Sequence, residues 1–475
     1  MKNNKKSDKT SKRLPLAGLL VVLFFAFLVH KDVSLPSWVL LGGALLGFLY
    51  LFLKSFNKPE LATYVLVCYV PFSKILVGDF GGVMKAFNFT NILMIFAFLG
   101  MLTQLTAKGK RLIDKNSLNI PIFLFCFITG LSFIKGTLFF GHYLEFMELA
   151  SQLKRWLTPP LLFYIAYNTL RDKKSLENVV KIIMVAVAVV GIMAIVDYIN
   201  LRSYSSLERS RIGGISDQPN QLAGFFCYYM FLYAGFFLVH FPSLSAFGYL
   251  IPMAIAFRGI MVTFSRGGYL SFAVGAYAIS FFRSRLLFIL VILCSIVMFL
   301  NPHFLPAGIR YRMNMTFEDQ VMGDADLEQS LEASASRRIV IWKTALIMIK
   351  DKPWLGFGYG TFPTVVGSYN PELGPIDAHN SYIIIAAEMG VPALLAFLLI
   401  IGIFLKETWW LFRRTKDKFF KSTALGMLGG TAGLLAVNMF GSRLNTLEIS
   451  GYFWILAAII LRMKSIELGK KGKLS

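Results

Sequence analysis

Apolar runs of about 15–25 residues alternate along the chain with short polar segments, most of them basic. A run of that length matches the roughly 20 residues a helix needs to cross a bilayer. The pattern predicts fourteen spans, at 14–30, 36–53, 61–78, 88–106, 118–134, 157–170, 178–199, 220–239, 244–264, 268–282, 286–300, 381–405, 419–440 and 447–461. The first two read as an extra hairpin or as an over-division, so the fold class is an all-α polytopic membrane protein with about 12–14 transmembrane helices. Segments 135–156 and 200–219 are moderate loops, and Asn301–His379 is the one long polar stretch. A loop that long, in a chain otherwise sparing with loops, points to function. The organisation is therefore 1–200, N-terminal transmembrane helices; 201–300, central transmembrane helices; 301–380, a long outer loop; and 381–475, C-terminal transmembrane helices.

Within the long loop, Glu318–Glu332 is acidic. Ser334 and Ser336 then precede an apolar-periodic run, Ile339–Lys350, and Asp351-Lys352-Pro353 stops it. Serine before such a run is an N-cap signal. The helix is too short to span, and with Ile341, Trp342, Leu346 and Ile349 it is expected on or near the outer membrane face as a lid. A glycine-rich turn, Gly356-Phe357-Gly358-Tyr359-Gly360, follows, and Asp377-Ala378-His379-Asn380-Ser381-Tyr382 stands at the mouth of the next span.

Composition agrees: of 475 residues, 56% are hydrophobic and 16% charged, and mean hydropathy is +0.62. A soluble domain is nearer 25% charged. The net charge of +22 would suggest nucleic acid in a soluble protein. Here the basic residues concentrate on one side of the predicted topology and the other side is close to neutral. That is the positive-inside pattern. It puts both termini in the cytoplasm, makes Lys2, Lys5, Lys6, Lys9, Lys12 and Arg13 a topology anchor rather than part of a cleaved signal peptide, and removes nucleic acid as a partner. Cys68, Cys126, Cys227 and Cys294 lie far apart inside apolar runs and read as packing residues. No GxxxxGK[ST] occurs and no cytoplasmic segment could hold a nucleotide-binding domain, so ATP hydrolysis is not expected. No clear pair of inverted halves, as a transporter would have, is present.

In such a chain the costly residues are informative. Lys74, Asp197, Arg258, Arg266 and Glu388 fall within or at the ends of apolar runs. Arg266 stands in Phe264-Ser265-Arg266-Gly267-Gly268 at an outer helix boundary, and Arg211 in Arg211-Ile212-Gly213-Gly214 on the preceding outer loop, which ends in Asp217-Gln218-Pro219-Asn220. Each could be a snorkelling anchor or an exposed loop arginine. Two outward Arg-Gly-Gly segments also suit an anion, because a guanidinium fork matches phosphate and stays charged. His379 could be structural, or could accept a proton from an alcohol near neutral pH. A lipid-linked diphosphate sugar would unite the three: arginines on the diphosphate, a base at the attacking hydroxyl, and apolar spans around the lipid tail. That chemistry needs no cofactor and no metal. Asp324 and Asp326 have no His or Cys companions.

The series Arg338-x3-Trp342, Asp351-Lys-Pro353, Gly356-Phe-Gly358-Tyr-Gly360-Thr-Phe362, Asp377-Ala-His379-Asn380-Ser-Tyr382 and Glu388-Met-Gly390 resembles the signature region of the O-antigen ligase and O-antigen polymerase superfamily. The Arg266 and Arg211 to Asn220 segments are similar to its two earlier motifs. The resemblance, over about 211–390, implies a GT-C-like, metal-independent, inverting glycosyltransferase in the bacterial inner membrane, with its site on the periplasmic face. The donor it implies is a glycan on undecaprenyl diphosphate. Arg211 and Arg266 would engage the diphosphate and His379 the acceptor hydroxyl, with Arg338, Asn220, Asn380 and Tyr382 as further substrate-binding positions. The acceptor would be lipid A core for a ligase, the favoured reading, or a second lipid-linked glycan for a polymerase. A polysaccharide or lipid transporter is the more distant alternative.

Overall fold

The computed structural model describes residues 37–76, 89–107, 114–140, 143–201, 211–305, 309–310 and 333–471. The predicted span 14–30, the basic N-terminal run, the acidic stretch Glu318–Glu332, Asp324 and Asp326 lie outside them. Among the described residues every regular element is helical. Seven helices are long and apolar enough to cross a membrane: Asn119–Phe139, Lys173–Leu201, Pro219–His240, Leu244–Val262, Val391–Arg414, Lys418–Val437 and Leu447–Gly469. Phe89–Gln104 and Arg285–Leu300 are apolar but shorter. The chain is a multi-pass, all-α membrane protein.

Several predicted spans have a different internal structure. The run 61–78 divides into helix Pro59–Tyr69, a tighter turn at Val70–Phe72 and a short helix Ser73–Leu76, where Pro71 removes a backbone donor. The run 157–170 is the last part of a 27-residue helix, Tyr143–Thr169, that carries Pro159 and Pro160 inside it. The run 381–405 begins with Ser381–Ile384 and a wide π-type turn, Ile385–Met389. Gly390, at φ +89°, then breaks the chain before helix Val391–Arg414.

The helices group into two units. One comprises 1–115, 159–189 and 450–475; the other comprises 116–158 and 190–449. In the first, Arg462 is the focus of a polar cluster: its Nη2 lies 2.6 Å from Asp114 Oδ2, its Nε donates to the Tyr167 carbonyl at 2.6 Å, and its guanidinium covers the Tyr167 ring at 3.8 Å.

In the second unit, helix Lys418–Val437 is buried at the centre. Gly426 meets the backbone of Phe231 and Leu232, Gly430 the Tyr228 carbonyl and Gly433 the Cys227 carbonyl. Small residues let backbones approach closely where lipid gives no hydrophobic drive between helices. Helix Arg266–Arg283 packs on the same element, Gly275 facing the Gly429 carbonyl.

The long loop has a core of its own. Ile341, Ala345 and Met348, at helical spacing, pack with Phe362, Val366, Leu373, Ala378 and Ala387. The helix runs Ala333–Asp351, so it starts earlier than the serine signal indicated, and Ser336, Arg337 and Arg338 are already helical. Alanine and arginine are good helix formers and extend it backwards. Its inward face is Ile341, Ala345 and Met348, while Leu346 and Ile347 are exposed.

Candidate active site

Arg211 and Arg266 come from segments that share Asn220 and Thr263. The Arg211 Nε donates to the Thr263 carbonyl at 3.1 Å and its Nη2 to Asn220 Oδ1 at 3.2 Å. The Ser265 hydroxyl donates to the same Asn220 oxygen at 2.8 Å. Ile212 N–H reaches the Val262 carbonyl at 3.3 Å. Ser265 also caps helix Arg266–Arg283 by accepting the Gly268 N–H at 3.2 Å, which makes Arg266 its first residue. The positive end of a helix dipole therefore stands beside the arginine. Both arginine side chains are half-buried.

The glycine pairs have separate local reasons. Gly214, at φ +52°, makes the turn between Arg211 and Asn220. Gly268 has Ala223 against it, 2.7 Å from where a Cβ would stand, and so lets helix Pro219–Tyr229 approach. The group that comes close to the Arg266 glycines is thus part of this chain.

His379 stands in a turn held from three directions. Its backbone N–H donates to Asp377 Oδ1 at 2.6 Å, and the Ser442 hydroxyl donates to that same oxygen at 2.8 Å. The Trp342 indole N–H donates to the Ala378 carbonyl at 2.9 Å, tying the turn to the loop core. The imidazole is half-buried, with Nδ1 3.6 Å from Asp377 Oδ1. Partial burial pulls its pKa below the ordinary value; Asp377 opposes this, and the charges of Arg338, Arg443 and Arg337 add to it. The ring is thereby biased toward its neutral, proton-accepting form.

Among the described residues, three non-glycine residues have positive φ: Asp217 at 56°, Phe264 at 49° and His379 at 50°. One lies in each of the three motif segments. For an aromatic such as Phe264 this conformation is a strained outlier, and such strain concentrates at ligand and catalytic sites.

Asn380 and Tyr382 support the histidine from below. The buried Asn380 side chain accepts the N–H groups of Tyr382 and Ile383 at 2.9 and 3.2 Å and so caps the helix. The Tyr382 hydroxyl donates to the Leu435 carbonyl at 2.8 Å. Arg338 is half-buried on helix Ala333–Asp351. Glu388, buried, accepts the Phe362 N–H at 3.1 Å, and Ser132 donates to its carbonyl at 2.8 Å; both bonds fix the glycine-rich turn rather than a ligand.

The turn Asn438–Thr446, which the sequence reading passed over, touches the Arg266 and His379 segments and the helix Pro219–Tyr229 that carries Asn220. Phe440 packs on Gly267, and the Arg443 side chain on Gly224, one turn along from Asn220. Asn438 Oδ1 accepts the Ser381 hydroxyl at 2.9 Å, and its amide donates to Tyr228. Its sequence signal is Gly441-Ser442-Arg443 at the mouth of a span, a pattern of the same kind as Arg266. Among the described residues no group of three or more His, Cys, Asp and Glu side chains assembles as a metal site.

No curated protein matches the chain significantly. Residues 251–398 match the family described as O-antigen ligase. That segment carries Arg266, Arg338, His379, Asn380 and Tyr382, and the match supports the O-antigen ligase and O-antigen polymerase superfamily for this chain.

Proposed function

We propose that the protein is an O-antigen ligase-like glycosyltransferase that moves a glycan from undecaprenyl diphosphate to a sugar hydroxyl on lipid A core, at the periplasmic face of the bacterial inner membrane. The observation that carries this reading is the meeting of Arg211 and Arg266 segments on one Asn220 oxygen, within the same unit as a histidine biased toward its neutral form. The O-antigen ligase match supports it.

In the step we envisage, the acceptor oxygen attacks the anomeric carbon while its proton passes to His379. The bond from that carbon to the diphosphate oxygen breaks, and its electron pair leaves with the diphosphate. A single displacement inverts the anomeric centre. Arg211 and Arg266 stabilise the charge that grows on the leaving group, and Asp377, 3.6 Å from the ring, stabilises the imidazolium. Arg338 is a further substrate-binding position, while Asn220, Asn380 and Tyr382 hold the binding groups in place. The step as proposed uses neither metal nor cofactor, and the topology proposed with it has both termini in the cytoplasm.

The test is a reconstituted assay of the purified protein with a lipid-linked oligosaccharide donor, with and without lipid A core, the products resolved on a gel. One shifted band that requires the core supports the ligase. A ladder from donor alone assigns a polymerase with the same residues in the same roles. No product from a donor active on a known enzyme means that this donor is not the substrate, or reopens the transporter reading.

A further inference from the structure

The Arg443 side chain is 2% exposed, and among the described residues no carboxylate pairs with it. Its Nη1 donates to the Val437 carbonyl at the end of the preceding helix at 2.6 Å, and its Nη2 to the Phe440 carbonyl in its own turn at 3.3 Å. Burial lowers its pKa to about 10, which still leaves it cationic at neutral pH. A buried cation with neutral partners is costly and asks for an explanation.

Its surroundings supply one. The Arg443 backbone N–H donates to the Ser381 hydroxyl at 3.1 Å, two residues after His379, and its neighbour Ser442 donates to Asp377, two residues before. The two bonds clasp the histidine turn from both sides. The clasp is continued by Asn438, which accepts from Ser381 and donates to Tyr228 on helix Pro219–Tyr229, which carries Asn220.

We propose that Arg443 is a positioning residue for His379, clasping the histidine's turn through Ser442 and its own backbone and setting the charge around the imidazole from a buried site. The proposal rests on the reading of His379 as the base. The groups that face the ring are Asp377 on its own turn, Arg337 and Arg338 on helix Ala333–Asp351, and Arg443 on the turn Asn438–Thr446. Arg337 and Arg338 are at least partly exposed, so water and salt screen them more than a buried charge. Arg443 exerts its field through a low-dielectric interior. A like charge there disfavours the imidazolium and keeps the ring able to accept a proton before substrate arrives.

The experiment follows the imidazole itself. Diethylpyrocarbonate acylates only neutral imidazole, and mass spectrometry of the peptide that contains His379 gives its rate against pH in the full-length protein. Wild type, Arg443→Lys and Arg443→Gln are compared. The midpoint for His379 is expected to move to higher pH in the glutamine variant and to stay near wild type in the lysine variant, which keeps the charge. Identical midpoints in all three overturn the electrostatic half of the proposal. Ser381→Ala, whose folding does not depend on replacing the buried arginine, tests the clasp. A several-fold faster reaction at pH 8, with the midpoint unmoved, supports it, and an unchanged rate overturns it. Neither readout needs turnover, so a protein that transfers no glycan yet shows these shifts separates failure of the functional reading from failure of the clasp.

Discussion

The Arg211 guanidinium donates to the side-chain oxygen of Asn220 at 3.2 Å, and that oxygen also takes the Ser265 hydroxyl. Asn220 is therefore the pivot between the two arginine segments, which lie more than fifty residues apart in sequence. Asn220→Ala should leave the protein folded and membrane-inserted but cut transfer by about 10–100-fold, the usual worth of a hydrogen bond to a charged group. The loss should appear mainly in the donor's kcat/KM. Kinetics at wild-type level would make Arg211 independent of Asn220.

The pH profile follows from the groups around His379. As a base it works in the neutral form, and its pKa lies below the ordinary value of about 6.5. Activity should therefore be full at neutral pH and fall as the pH drops through that lowered value. Asp377 raises the pKa, so Asp377→Asn, which keeps an acceptor for the His379 N–H, should move the acid limb to lower pH. Arg338→Gln should move it upward. Rates measured from pH 4.5 to 8 decide; limbs that do not move would assign the titration to another group.

Ala223 lies 2.7 Å from where a Cβ on Gly268 would stand, a close helix contact beside Arg266. Gly268→Ala should destabilise by about 1–3 kcal/mol through overpacking and lower activity by displacing Arg266. Ala223→Gly in the same chain should restore both, a non-additive pair. Thermal unfolding in detergent checks this, and additive effects would mean that the contact is not what limits the site.

The loop core carries the histidine turn. Met348→Ala, at a fully buried position, should cost about 2–5 kcal/mol of local stability, seen as faster proteolysis within 333–379. Trp342→Phe removes the indole bond to Ala378 together with part of the ring packed on this core and should cost about 1–3 kcal/mol, with a several-fold drop in kcat. Unchanged proteolysis in the first variant would separate this core from the stability of the loop.

Much of this was legible in the chain. Arg211, Arg266 and His379 stood out because each sits beside glycine or at the mouth of an apolar run, and hydropathy located most of the helices. Arg443 shows the same pattern but gave no reason to link it to His379. Its partner segment is reached across 62 residues, and only the packing of helix Lys418–Val437 brings the two together. Asn380 and Tyr382 read as ligand groups; in the structure Asn380 Oδ1 accepts from the following backbone and the Tyr382 hydroxyl donates to the Leu435 carbonyl, bonds that a single sequence does not reveal. The loop helix began early because Ser336 is itself helical, so the capping serine signal pointed to the wrong place.

The most direct measurement is the single-turnover transfer rate from a lipid diphosphate donor by wild type, Arg211→Ala and Arg266→Ala, each shown to be folded and inserted, with and without chelator. A loss of about 10²–10³ is expected in each variant, the scale of removing one group that stabilises developing charge, with no effect of chelator on wild type. A rate near wild type in either folded variant, or a wild-type activity that vanishes with chelator and returns with a divalent ion, would contradict the proposed step.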